Sequence, residues 1–362
     1  MSSYKLLEQL GLLTIDGFRY EQELGGGSAT SCIYSNEKER IVFKFLISPR
    51  NSIEIERFKL EYSVLDKNFA NWNEHCSKDI LDGKIDRTVF FAGPNESYPL
   101  PEITYPLTSC LNDSVYYFGY KYEDGILLSK LDTSNYSYDQ KISILHRIAS
   151  ALSYFNHTGY SHRDLHPDNI LLLPSPKMPS VGMNNPKVKI LDMGNCQKIE
   201  GHFREFSSLE IIRNVNETLV LEDNNKRLLS SFTSMPPDFL SEGGNTLNYD
   251  SWAFGVYAYT LLCSGLPFKL TCIQDVIALS NSRQFDEQFF PYFQSLPRSV
   301  QLILNHLLSP VGKERPTIDA IVRLFLWLVE KDCRFNDENF VKAVIHKGGY
   351  DPTDRHPGED YF

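Results

Sequence analysis

The chain has 362 residues, 42% of them hydrophobic and 23% charged, enough to bury a large core as one big domain or two lobes. A formal net charge of −10 and a pI of about 5.4 argue against binding to nucleic acid or an anionic membrane, because both are polyanions. The seven cysteines are odd in number and scattered without a Cys-x-x-Cys pair, which speaks against a disulfide framework or a zinc site and for a reducing cytoplasm.

The start, Met1 to Glu8, has too short an apolar run for a signal peptide, and residues 1–17 read as an N-terminal extension. Gly17 to Leu24 alternates apolar and polar residues, three glycines follow, and Cys32-Ile33-Tyr34-Ser35 resumes the strand pattern. Ile41 to Leu46 is a β-branched and aromatic run that a Ser48-Pro49 breaker closes. Ile55, Phe58, Tyr62 and Leu65 then fall at helical spacing. Residues 66–114 carry glycines, prolines and scattered Asn and Asp, and read as an insertion, at about 66–100, plus two more strands.

From Tyr138 the period becomes helical, with Ile142, Leu145, Ile148, Ala149, Leu152 and Phe155 on one stripe that ends at Gly159. Helices are expected at 249–263, 297–308 and 316–331. The longest apolar stretch, Trp252 to Leu262, is interrupted by Gly255 and by hydroxyls and falls short of the ~20 residues that span a bilayer, so it predicts a buried core helix. Residues 336–362 look like a flexible polar tail. Strands first and helices second predict an α+β chain of two lobes with a cleft between them.

Three groups of residues carry chemistry. Gly25-Gly26-Gly27-Ser28 sits between two strands, where glycines let backbone N–H groups approach phosphates; a plain hairpin turn is the competing reading, and Thr30 stands where a third spaced glycine would. Lys44 lies in a buried-looking strand and needs either solvent or an anion, with Glu54, Glu56 and Glu61 as available carboxylates. The third group is the most specific. His162-Arg163-Asp164 to Asn169 follows a helix and precedes the apolar run Ile170 to Leu173, and Ile190-Leu191-Asp192-Met193-Gly194 repeats the arrangement. Two acids and an amide at strand ends supply oxygen ligands for a hard cation and leave one carboxylate to orient a hydroxyl nucleophile, the parts that phosphoryl transfer needs.

The ordered set resembles the eukaryotic-type protein kinase superfamily over about residues 18–332. Leu24-Gly25-Gly26-Gly27 resembles the glycine-rich loop, Ile41-Val42-Phe43-Lys44 the lysine strand, His162-Arg163-Asp164 to Asn169 the catalytic loop and Asp192-Met193-Gly194 the metal motif. Pro236-Pro237-Asp238, Asp250-Ser251-Trp252 through Gly255, and Glu314-Arg315-Pro316 resemble the signals that organise a protein-substrate lobe.

The resemblance implies a bilobal kinase fold, with an N-lobe at 18–122, a C-lobe at 123–335 and a hinge near Gly119 to Glu123. It implies ATP and magnesium, or manganese, as cofactors. Lys44 would contact phosphates and pair with Glu61, Asp164 would orient the hydroxyl, and Asn169 and Asp192 would hold the metal. Leu24, Gly25, Gly26, Gly27, Ser28, Cys32, Val42 and Leu171 would line the nucleotide site. Asp238 and Arg315 would form a buried ion pair, and Asp250 would brace the catalytic loop.

His166 stands where the family usually carries a lysine that neutralises the γ-phosphate, so it is read as a catalytic residue that slows turnover or makes it depend on pH. The segment between Asp192 and Asp238 holds Ser207, Ser208, Thr218, Ser230, Ser231, Thr233 and Ser234; Arg163 either receives a phosphate from it or simply contacts backbone. The expected activity is that of a serine/threonine protein kinase with an unidentified protein substrate, able to phosphorylate itself. A pseudokinase scaffold would have lost Lys44, Asp164, Asn169 or Asp192, and a small-molecule kinase would lack the Asp250 and Arg315 signals.

Overall fold

The computed structural model describes residues 3–26, 29–52, 54–66, 99–110, 114–174, 187–198, 235–239, 248–269, 275, 278–279, 285–330 and 338–346. Gly27, Ser28, nearly all of the 66–100 insertion and the serines and threonines at 207–234 lie outside them.

The first lobe opens with helix α1 (Ser3–Gln9) and strands β1 (Thr14–Ile15), β2 (Phe18–Gly26), β3 (Thr30–Ser35) and β4 (Arg40–Ile47). Helix α2 (54–66) follows, then β5 (Ile103–Cys110) and β6 (Val115–Lys121). The strands form one antiparallel sheet of six in the order β1-β2-β3-β4-β6-β5. Side chains alternate across it. Cys32, Tyr34, Ile41, Phe43 and Phe45 pack on the outer face against Leu7 of α1. The inner face meets α2 through Phe118, whose ring lies 5.0 Å from that of Phe58.

After β6 a short link leads to β7 (Ile126–Leu127) and a 3-10 turn at Leu128–Lys130. Gly125 is required in this link, because a Cβ there would stand 2.8 Å from the Leu172 carbonyl oxygen. The second lobe then begins with α3 (Tyr138–His157). A capping box starts α3: Ser137 accepts from the Gln140 N–H while the Gln140 side chain accepts from the Ser137 N–H. Next come β8 (Tyr160–Ser161), β9 (Ile170–Leu173), β10 (Lys187–Ile190) and β11 (Gln197–Lys198). The helices α4 (Tyr249–Cys263), α5 (Phe290–Ser295), α6 (Arg298–Leu307), α7 (Ile318–Glu330) and α8 (Glu338–His346) complete the described chain.

The result is the expected α+β fold of two lobes, strands first and helices after. The Trp252 to Leu262 stretch lies within α4, whose Trp252, Phe254 and Tyr259 are fully enclosed. Among the described residues no helix is long and apolar enough to cross a membrane. One expectation fails at 338–346, which forms α8 rather than flexible tail. Val341 is fully buried there and the Phe340 ring stacks on Trp327 at 4.9 Å.

His146, on α3, is enclosed in the second lobe, and burial pushes its pKa down to about 4. A lowered histidine pKa means that the fold favours the neutral ring. The stabilisation is therefore complete above the ordinary value of 6.5 and is lost as pH falls toward 4. Wild type is expected to lose about 3 kcal/mol more than His146→Leu between pH 7.5 and 4.5. Urea unfolding of both proteins at the two pH values measures the difference.

Candidate active site

A lysine on the inner face of a sheet keeps its charge only if anions surround it. Lys44 Nζ on β4 donates to Glu61 Oε1 at 2.8 Å and Oε2 at 2.7 Å, and to Asp192 Oδ1 at 3.2 Å. Glu61 projects from α2, whereas Glu54 is engaged with the Arg50 N–H and Glu56 is exposed, so the structure selects Glu61 from the three candidates. Despite the desolvation of its amine, the two carboxylates hold Lys44 well above the ordinary lysine range. Lys44 in turn holds Asp192 below the usual carboxylate range, while burial pushes Glu61 upward.

Around the glycines, Leu24 occupies a bulge of β2 and is exposed, with Gly25 and Gly26 closing the strand opposite Ser31 and Thr30. Cys32 does not line the cleft. It pairs with Phe43, and directly paired residues share a face, so its thiol is buried in the outer cluster. Ser31 and Ile33, paired with Lys44 and Val42, take the inner face instead. Counting from the glycines places Cys32 one residue off, and one residue reverses the face of a strand. Val42 does share the Lys44 face, and half-buried Leu171 on β9 pairs with Leu127 beside the link. Tyr120, which sequence reasoning missed, pairs with Val42 and sends its hydroxyl to Ser31; burial raises its pKa to about 12. Its signal was alternation with Phe118 and Tyr116 in one strand.

The catalytic-loop residues are fixed from below. Asp250, at the start of α4, accepts from the N–H groups of His162 (2.8 Å) and Arg163 (2.9 Å), and from Ser161 Oγ and Asn156 Nδ2. Arg163 needs this support because its φ of 64° is left-handed and unfavourable for a side chain of its size. Its guanidinium lies 5.5 Å from the centre of the Tyr249 ring. His162 is buried, with Nε2 at 3.0 Å from the Leu191 carbonyl oxygen and Nδ1 accepting from the Asp164 N–H. The bond to a carbonyl places the ring proton on Nε2. Asp192 is itself left-handed at φ 61° and caps the turn that carries Gly194.

Asp164 and Asn169 meet in the same turn, where Asn169 Nδ2 donates to the Asp164 carbonyl oxygen at 2.9 Å. Asn195, also missed, donates to Asp164 Oδ2 at 2.9 Å, and its position directly after Asp192-Met193-Gly194 was the available clue. His166 turns toward Asn169, with Nε2 at 2.9 Å from Nδ2. Deeper in the second lobe, Arg315 Nη2 donates to both oxygens of Asp238, at 2.9 and 3.0 Å, and the Gly312 N–H completes the carboxylate. The buried Asp238–Arg315 pair expected from the resemblance is therefore formed.

Among the described residues no three His, Cys, Asp or Glu side chains gather into a metal cage. The Asn169 amide oxygen and the Asp192 carboxylate are hard oxygen donors, and such a pair suits magnesium, which keeps waters and phosphate oxygens as its other ligands.

A sheet lobe, a helical lobe and this cleft define a two-lobed kinase architecture. A protein kinase domain model matches residues 97–325, well over half of the sequence. The chain belongs to the protein kinase family. It is similar to protein kinase C-like 2 of Schizosaccharomyces pombe, 25% identical over 70% of this chain and 21% of that protein. Death-associated protein kinase 2 of Mus musculus is 24% identical over 58% of this chain and 52% of its own length. Serine/threonine-protein kinase PknD of Chlamydia caviae is 24% identical over 74% and 29%. The chain thus spans from about a fifth to about half of the length of these relatives.

Asp250→Ala leaves two loop N–H groups and two side-chain donors without their acceptor. The variant is expected to be less stable by at least about 3 kcal/mol in denaturant unfolding, with Asp250→Asn intermediate because one amide oxygen survives.

Proposed function

We propose that the chain is an active serine/threonine protein kinase that transfers the γ-phosphoryl group of ATP to protein hydroxyls, its own included. The observation that carries this reading is the buried pair of Lys44 with Glu61, from which Lys44 also reaches the half-exposed carboxylate of Asp192. It joins the strand lobe to the turn after β10 and keeps a cation ready for phosphate oxygens. With ATP, magnesium supplies charge neutralisation on the phosphates, and Asn169 and Asp192 are the residues that would hold it.

In this reading Asp164 takes the proton of the attacking hydroxyl through Oδ1, which the Asn195 bond to Oδ2 supports. In the transfer, the hydroxyl oxygen forms a bond to the γ-phosphorus, the bond to the bridging oxygen breaks, and that oxygen leaves with ADP. Serine or threonine as acceptor is supported by the name of the Chlamydia caviae relative, a serine/threonine-protein kinase, and by Leu165-His166-Pro167 after the catalytic aspartate.

Incubation of the purified chain with magnesium and ATP, followed by mass spectrometry, tests the reading. Wild type is expected to gain phosphate on serine or threonine, and Asp164→Ala and Asp192→Ala to gain none. Equal phosphate on Asp164→Ala would remove Asp164 from its role, and phosphate on tyrosine alone would overturn the acceptor assignment.

A further inference from the structure

The loop residue that departs most from the family pattern is His166, and its contacts give it a different task from the lysine it replaces. The Asn169 amide nitrogen carries two hydrogens. One goes to the Asp164 carbonyl oxygen at 2.9 Å, which fixes which end of the amide is nitrogen. The other points at His166 Nε2, also at 2.9 Å. A nitrogen that receives a hydrogen bond carries a lone pair, so the ring proton sits on Nδ1. On that side Asp168 Oδ2 lies 3.6 Å away, and Ser129 Oγ holds the other oxygen of Asp168. Ser129 belongs to the 3-10 turn just after β7, so polar groups line up from that turn through Asp168 to His166 and Asn169, although the 3.6 Å step from Asp168 to His166 Nδ1 is longer than a hydrogen bond.

We propose that His166 is a positioning residue which locks the Asn169 amide so that its oxygen faces the metal and the phosphates. Both amide hydrogens are then engaged on one side and Oδ1 is held on the other. Lysine cannot do this, because an ammonium group has donors and no acceptor. The arrangement parallels the supports behind metal ligands in general, where a group that touches no metal sets the orientation of one that does. The inference rests on the metal role proposed above for Asn169 and Asp192.

The affinity of the enzyme–ADP complex for manganese(II), followed by electron paramagnetic resonance, tests it. His166→Leu keeps bulk but loses the acceptor, and His166→Lys offers only donors. Both are expected to weaken manganese binding by about tenfold or more, the usual effect of removing an outer-shell support. His166→Gln, whose side-chain oxygen can reach the place of Nε2, is expected to stay near wild type, and binding of ADP without metal to be unchanged in all three. Thermal melting of each variant checks the fold. If His166→Leu binds manganese as wild type does while Asp192→Ala loses it, the positioning role is wrong and the metal reading stands. If Asp192→Ala itself keeps wild-type manganese affinity, the metal reading fails and the inference fails with it.

Discussion

The charge on Lys44 governs this structure. An ammonium group on the inner face of a sheet is stable only beside counter-charges, and β4 has none of its own. Glu61 must therefore come from α2 and Asp192 from the turn after β10, two elements that would otherwise have no reason to meet. The three charges hold the helix, the sheet and the second lobe in one relation. A buried pair such as Lys44–Glu61 is poor evidence of stability, because desolvation offsets much of the attraction. Its value is in position: the same cation that fixes the elements faces the space where phosphates would lie.

The second lobe solves a related problem with a carboxylate. Arg163 and Asp192 both sit at left-handed φ values that side chains disfavour, and each is held by hydrogen bonds that the fold supplies. Asp250 anchors the first from α4, a helix whose own place is fixed by Trp252 and by the neighbouring Arg315–Asp238 pair. Strain at the loop is thus balanced by the packing of a helix that is distant in sequence.

Much of this could be read from the sequence, and the reasons are physical. The α3 stripe and the α4 apolar run are long enough for periodicity to be unambiguous; Lys44 stands inside the apolar strand β4, and Asp164, Asn169 and Asp192 lie in the turns beside the apolar strands β9 and β10. The failures share a cause. The resemblance assigns Cys32 to the nucleotide site, but its pairing with Phe43 turns it to the outer face, and a step of one residue along a strand leaves no mark in composition. Glu61 is no failure: spacing leaves three carboxylates open, the resemblance chooses Glu61, and the contact with Lys44 agrees. The hydrogen bond that turns His166 toward Asn169 depends on side-chain rotamers, about which spacing is silent. The short helices α1 and α8 are too brief for periodicity, and their burial comes from surfaces that distant residues create.

The packing of α8 bears on how the protein is made. Val341 is fully enclosed against α6 and α7, and Phe340 covers Trp327. Synthesis proceeds from the N-terminus, so the helical lobe cannot close this part of its core until the ribosome has passed these residues. Until then a nascent chain would present an uncovered indole and an open apolar groove to its surroundings. The last described helix therefore sets the point in synthesis after which this part of the helical core can close.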